Sequence, residues 1–311
     1  MSLNITFLGV GLMGAPMVSR LLADGYALTL WNRTRAKAEA FATDARIAND
    51  PVAAVTGADI VITMLETGPV VEQVLFESGA DSALKAGATV IDMSSIPPAM
   101  ARDFSSRLRS KSVCFLDAPV SGGTVGAEQG ALAIMVGGER ATYDAMEPLF
   151  KVFGKSTYIG PQGAGQLAKL ANQAIVGITI GAVSEALLLA EQGGADPVAV
   201  REALMGGFAA SRILDLHGQR MIERRFEPGA TARVQLKDLR TILDEARAEG
   251  LSLPLSQRVY ESYLALVNSG HEGVDHSGLL LQLEALNGCK MASSDASHAE
   301  AQGVNLENPD A

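Results

Sequence analysis

The sequence predicts an α/β protein in two parts: a doubly wound sheet domain over residues 1–160, joined by a long helix to an all-α domain over residues 161–290. Three observations carry this. Short β-rich runs alternate with helical segments through the first 160 residues, the pattern of a parallel sheet covered by helices on both faces. After Gly160 the β-runs stop, and every later segment has helical spacing. Between the two lies GPQGAGQLAKLANQAIVGITIGAVSEALLLAEQ, from Gly160 to Gln192, a run with almost no charge and with apolar residues on nearly every side. Such a run reads as a buried helix packed by other elements, and at 1.5 Å per residue it spans about 45 Å.

In chain order, strands are expected at Ile5 to Leu8, Ala27 to Trp31, Ile60 to Met64, Thr89 to Asp92, Val113 to Asp117 and Ala131 to Val136, with a last one near Thr157 to Ile159. In the second half Asp196-Pro197 reads as an N-cap followed by proline at the first helical position, and Gly206-Gly207 closes that helix. Further helices are expected over Ser211 to Arg225, Val234 to Glu249, Leu255 to Ser269 and His276 to Lys290. Residues 291–311 have little apolar content to bury and read as a disordered tail.

Composition narrows the classes. A chain of 311 residues suits two domains with a sizeable core. The formal charge of −10, from 35 acidic and 25 basic residues, argues against a nucleic-acid binder. The two cysteines, Cys114 and Cys289, lie far apart in apolar settings, so neither a disulfide framework nor a thiolate metal site is expected, and a reducing cytoplasm fits best. His217, His271, His276 and His298 show no ligand-spaced pairing with acidic residues on a helix, so no metal is expected. No basic n-region precedes the first strand, and Gly177, Gly181 and Glu185 interrupt the apolar helix; neither a signal peptide nor a membrane span is expected.

The chemistry begins at Gly9-Val10-Gly11-Leu12-Met13-Gly14, a G-x-G-x-x-G fingerprint between a hydrophobic strand and an apolar-striped helix. In that context the glycines permit a tight turn and close approach of a pyrophosphate to the helix N-terminus, which points to a dinucleotide on a Rossmann-type domain. At the end of the second strand stands Asn32-Arg33-Thr34 rather than the acidic residue that binds the ribose of NAD. Arg33 suits a 2′-phosphate, so NADP (as NADPH) is expected over NAD; a solvated arginine at a helix start capped by Thr34 is the plainer alternative. The loop Asp117-Ala118-Pro119-Val120-Ser121-Gly122-Gly123-Thr124 follows a strand, at the sheet edge where ligands bind. Ser121 offers a hydroxyl, and Gly122 and Gly123 let backbone N–H groups converge on a small carboxylate. Lys169 is the only basic side chain between Gly160 and Gln192. It shares a helix face with Asn172 and Gln173, at i+3 and i+4, which puts both amides within reach of the same small substrate as candidate binding groups; Lys169 itself is either a catalytic acid–base group or a lysine snorkelling from a helix end.

GVGLMG, DMSS at Asp92 to Ser95, DAPVSGGTVGA, GAGQLAKLANQ and QLKDL at Gln235 to Leu239 together resemble the β-hydroxyacid dehydrogenase family, in the same order and over nearly the whole chain to about Leu286. Within that family the C-terminal half is most similar to the tartronate semialdehyde reductases, and less so to the 3-hydroxyisobutyrate dehydrogenases, which have Asn-Asn where Asn172-Gln173 stands. The resemblance implies Lys169 as catalytic lysine, Ser121, Gly122 and Gly123 as the substrate-carboxylate loop, and Asn172 as an active-site amide. It places Ser95 near the nicotinamide and Lys237, with Asp238 beside it, at the cofactor or substrate edge. The family's Met-Leu-Pro cofactor loop stands here as Met64-Leu65-Glu66.

The expected activity is hydride transfer between NADPH and a small carboxylate-bearing aldehyde or its hydroxy acid, in a homodimer or homotetramer. The alternatives are a glyoxylate or succinate semialdehyde reductase, a 3-hydroxyisobutyrate dehydrogenase, an imine reductase, whose relatives generally lack the lysine, or an NADP-binding interaction protein without turnover.

Overall fold

In a computed structural model the described residues are 3–292, in two compact units, Met1–Lys169 and Leu170–Ala311. The expected tail, apart from Met291 and Ala292, lies outside the described residues. Met291 belongs to the ordered chain: its side chain is buried in the core of the second unit.

In the first unit β1 (Ile5–Leu8), β2 (Leu28–Trp31), β3 (Arg46–Ile47), β4 (Ile60–Thr63), β5 (Thr89–Asp92) and β6 (Cys114–Asp117) run parallel in the spatial order β3-β2-β1-β4-β5-β6. Every residue of β1, β4 and β5 is buried, as expected of strands covered on both faces. Side chains alternate between two cores. Phe7, Ile62, Ile91 and Leu116 face one core, and Leu8, Val61, Val90 and Phe115 face the other. Around the sheet lie α1 (Gly14–Ala23), α2 (Arg35–Glu39), α3 (Pro51–Val55), α4 (Gly68–Glu72), α5 (Ala80–Ala83), α6 (Pro98–Arg109), α7 (Gly123–Gln129) and α8 (Arg140–Phe153).

The sheet is parallel through β6, as expected, and the order changes at its far end. β7 (Val120–Ser121) pairs antiparallel with β8 (Leu132–Gly138), which is itself antiparallel to β6, and only β9 (Gly154–Gly160) restores a parallel pair with β8. The ten residues 122–131 between β7 and β8 are too few for a parallel crossover, which takes about a dozen or more. Two-residue β3 and β7 carry no readable alternation and were not expected.

α9 (Ala164–Gln192) begins in the first unit and continues into the second, where α10 (Pro197–Met205), α11 (Gln219–Ile222), α12 (Ala232–Ala248), α13 (Pro254–Leu266) and α14 (Leu279–Asn287) follow. Asp196 caps α10 by accepting the Val198 N–H, with Pro197 at its first position. The helix expected over Ser211 to Arg225 runs continuously over 212–222, π-helical at Leu214–Gly218 and ending in α11. Leu170, Ile180, Leu187, Met221, Leu239, Ile242, Tyr263 and Leu280 build the core of this unit, and the buried Tyr263 hydroxyl donates to the His276 carbonyl at 2.7 Å.

α9 is not buried all round. Leu167, Ile175 and Leu189 are 42%, 67% and 77% exposed, so an apolar stripe faces outward along a helix whose other sides carry the packing residues. Among the described residues α9 alone is long and apolar enough to cross a membrane by those two criteria.

Candidate active site

The turn between β1 and α1 explains its glycines one at a time. Gly9 has φ +108°, and a Cβ there would come within 2.3 Å of the Met64 carbonyl oxygen. At Gly14 a Cβ would fall 2.0 Å from the Gly9 carbonyl oxygen, so the third glycine lets the helix close onto the turn. Gly11 differs: nothing lies within 4 Å of where its Cβ would be. Outer glycines packed against the fold and a middle one facing open space is what close approach of a pyrophosphate requires. Met13, at the N-cap of α1, makes no side-chain cap bond; the Ala15 N–H donates to the Gly11 carbonyl at 2.9 Å and Pro16 has no N–H, so in the first turn it is the Gly14 N–H that faces an anion. The residues therefore fit a dinucleotide.

Asn32 is partly a structural residue: its Oδ1 accepts the Val10 N–H at 2.9 Å and its Nδ2 donates to the Thr34 carbonyl, tying the end of β2 to the fingerprint turn. Arg33 is exposed just beyond β2. Arg35, two residues on, is held by Glu39 and Asn49, and Thr34 takes the N-cap position of α2 without a side-chain cap bond. Met64 and Leu65 are half-buried at the carboxyl end of β4, and the Leu65 N–H donates to Ser94 Oγ at 2.9 Å, which fixes that loop without the family's proline.

The next two strands end in acids that sequence reasoning missed. Asp92 closes β5 and Asp117 closes β6; they are register partners, and both are fully buried. Asp92 Oδ1 accepts from Thr63 Oγ1 at 2.7 Å and from the Ser94 N–H at 3.1 Å, while its Oδ2 is buried with no partner among the described residues. Asp117 accepts the Gly163 N–H on one oxygen, at 2.8 Å, and the Gln166 N–H on the other, at 2.9 Å, so a strand-end carboxylate caps the N-terminus of α9. Burial raises both carboxyl groups from the ordinary 3.8 to about 6. A Cβ on Gly165 would sit 2.3 Å from the Met135 carbonyl oxygen and 2.6 Å from that of Asp117, which explains the glycine between Ala164 and Gln166.

Gln166 was likewise missed. Its side chain is wholly buried, its Oε1 accepts the Ile96 N–H at 3.1 Å, and its Nε2 donates to the Ser94 carbonyl at 2.8 Å. The half-buried Ser95 lies between those two anchors. Lys169 follows Gln166 by three residues and is 9% exposed, an ammonium-bearing side chain inside the protein rather than one reaching into solvent. Ser121, half-buried on β7, leads into Gly122 at φ +139° and Gly123 at φ +64°, which open α7.

In the second unit the amides beside Lys169 in sequence form a chain of bonds. Asn172 Nδ2 donates to Gln173 Oε1 at 2.8 Å, and Gln173 Nε2 donates to the buried Asp238 at 2.6 Å, whose other oxygen pairs with Lys237 at 3.1 Å. Gln173 thus bridges α9 to α12. The histidines are also brought together in a way their spacing did not reveal. His217 Nε2 lies 3.2 Å from His276 Nε2, and Asp275 joins them in a cluster of the kind that can hold a metal. The Asp275 carboxylate already accepts from Ser277, Gly229, Ala230 and Arg220, a guanidinium that opposes a cation. Burial pushes Asp275 up, but His217, His276 and Ser277 outweigh it and hold the group well below the usual carboxylate range. The arrangement is that of a structural knot.

Residues 4–160 match the family model described as the NAD binding domain of 6-phosphogluconate dehydrogenase, and residues 163–283 the one described as NAD-binding of NADP-dependent 3-hydroxyisobutyrate dehydrogenase. The 2-hydroxy-3-oxopropionate reductase of Escherichia coli is 42% identical over 292 residues, 93% of this chain and 100% of the relative. The chain belongs to the β-hydroxyacid dehydrogenase family. An NAD-dependent L-serine dehydrogenase of Pseudomonas aeruginosa is 32% identical, covering 88% of this chain and 95% of its own. The Mycobacterium tuberculosis 3-hydroxyisobutyrate dehydrogenase solved with L-serine superposes with a TM-score of 0.84 at 30% identity, over 91% of this chain and 99% of that one. The protein is accordingly an NAD(P)-dependent enzyme of the dehydrogenase and reductase class, with a Rossmann domain followed by a helical domain.

Proposed function

We propose that this enzyme is an NADPH-dependent reductase interconverting a small semialdehyde acid and its hydroxy acid, with tartronate semialdehyde as the preferred substrate. The observation that carries the reading is Lys169, a buried amine three residues beyond an amide that anchors the Ser95 loop. The full-length similarity to a 2-hydroxy-3-oxopropionate reductase supports the substrate class. Arg33, exposed where an NAD-preferring turn carries an acid, supports NADPH.

The fingerprint turn Gly9, Val10, Gly11, Leu12, Met13 and Gly14 would hold the pyrophosphate, Asn32, Arg33 and Thr34 the ribose end, and Met64, Leu65 and Ser95 the remainder. When bound, the nicotinamide supplies or takes up the hydride. In reduction the Lys169 ammonium polarises the carbonyl oxygen and gives it a proton as the hydroxyl forms, leaving a neutral amine that solvent reprotonates; in oxidation the neutral amine takes that proton. The hydroxyl of Ser121 and the N–H groups of Gly122 and Gly123 bind the substrate carboxylate, with Asn172 beside Lys169 on α9 and Gln173 holding Asn172 in place.

Tartronate, methylmalonate and succinate semialdehydes and glyoxylate, each tested with NADH and NADPH, discriminate the options by kcat/KM. The leading reading expects tartronate semialdehyde with NADPH to be best. A preference for methylmalonate semialdehyde would move the chain to the 3-hydroxyisobutyrate dehydrogenase reading, which the second family match favours. Tight NADPH binding with no turnover on any aldehyde would leave only a nucleotide-binding protein.

The outward stripe of Leu167, Ile175 and Leu189 supports a homodimer or homotetramer closed through α9, in a reducing cytoplasm that keeps Cys114 and Cys289 as thiols. A monomer in sedimentation at working concentration would contradict the first point.

A further inference from the structure

We propose that Gln166 is a positioning residue that sets the register between the Ser95 loop and Lys169. The inference rests on the reading of Ser95 as a cofactor-edge residue and Lys169 as the proton-transfer group. Gln166 is the third residue of α9, its backbone N–H is held by Asp117, and its side chain reaches the far side of a loop that belongs to β5. One amide satisfies both the Ile96 N–H and the Ser94 carbonyl, the backbone groups on either side of Ser95, and it does so at complete burial, where no water can substitute. Ser94 passes the constraint on: its Oγ accepts the Leu65 N–H and its N–H donates to Asp92. The ends of β4, β5 and β6 and the first turn of α9 therefore form one continuous hydrogen-bonded unit. Gln166 and Lys169 stand three apart on the same helix, so any slip of the loop against α9 displaces Ser95 relative to the lysine's own turn.

A primary amide accepts and donates at every pH, whereas a carboxyl group of the same length does both only when protonated, which gives a test by substitution. Gln166→Leu keeps similar bulk and removes both bonds. Gln166→Glu keeps the acceptor for Ile96 but presents a carboxylate oxygen to the Ser94 carbonyl when ionised; protonated, the introduced acid donates again. The titratable and charged groups around that position are Asp92 and Asp117 from the sheet, Arg102 of α6, whose guanidinium approaches Gly163, and Lys169 on α9 itself. Both proteins contain all of these groups, so the ratio of variant to wild type cancels their own titration.

The measurements are melting temperature, NADPH affinity by fluorescence titration, and kcat between pH 5.5 and 8.5. For Gln166→Leu a kcat loss of about 10²-fold is expected, the scale of a misplacement of about 1 Å. For Gln166→Glu, kcat and NADPH affinity relative to wild type should rise at least tenfold as pH falls across that range, a pH dependence that lost packing alone would not produce. Folded variants with kcat within threefold of wild type at every pH would overturn the proposal. So would failure of both to fold, which would make Gln166 a stability element only. If the wild type turned over no aldehyde, the functional reading would fall, while the pH dependence of NADPH affinity in Gln166→Glu would still report on the clamp.

Discussion

Asp92 and Asp117 lie side by side at the carboxyl ends of β5 and β6, both fully buried, and only Asp117 has both oxygens hydrogen-bonded. They stand at the carboxyl edge of the sheet, and neither has a role in the proposed chemistry. Each holds backbone: Asp92 the Ser94 turn, Asp117 the start of α9.

Both folded-state values, about 6, lie above the ordinary 3.8, so the folded protein holds these protons more tightly than the unfolded chain. The stability they contribute is complete below about pH 4 and is lost as pH rises through about 6, at most about 3 kcal/mol for each group. Asp92→Asn keeps an acceptor for Thr63 and Ser94 without the charge. Its melting temperature relative to wild type should therefore increase from pH 4.5 to pH 7.5, as followed by thermal unfolding at each pH. A difference independent of pH would show that Asp92 does not titrate there.

Gly11 and Gly14 separate binding from folding. A methyl at Gly11 meets open space, so Gly11→Ala should fold with stability near wild type and bind NADPH at least tenfold more weakly, by occupying the approach to the turn. Gly14→Ala drives a Cβ toward the Gly9 carbonyl and should cost about 1–3 kcal/mol in chemical unfolding. The reverse pattern, with Gly11→Ala unstable and NADPH affinity untouched, would displace the cofactor from this turn.

Cofactor choice is tested at Arg33. Arg33→Ala should raise the KM for NADPH by about 10- to 100-fold, the worth of a lost charge-assisted phosphate contact, and leave the KM for NADH within threefold. Equal losses with both cofactors would indicate a general binding role.

Much of this was legible in the chain. β1 and β5 fall at the expected bounds, Ile5–Leu8 and Thr89–Asp92, and Lys169 stands out by its apolar company. The clamp was not legible, because Gln166 finds its partners 70 and 72 residues away and Asp117 finds its own 46 and 49 residues away. The signal available was an acid ending each of two neighbouring apolar strands, TVID and CFLD, and a glutamine in an otherwise apolar first turn. Strand direction at the far edge depended on the length of one connection, and the His217–Asp275–His276 knot on a contact across 59 residues. Neither leaves a periodic trace.

The most direct measurement is kcat for Lys169→Ala beside its NADPH dissociation constant. The account expects kcat to fall by 10² to 10⁴-fold, as for acid–base residues, with the dissociation constant within threefold of wild type. A variant that kept more than about a tenth of wild-type turnover would remove Lys169 from the proton-transfer step.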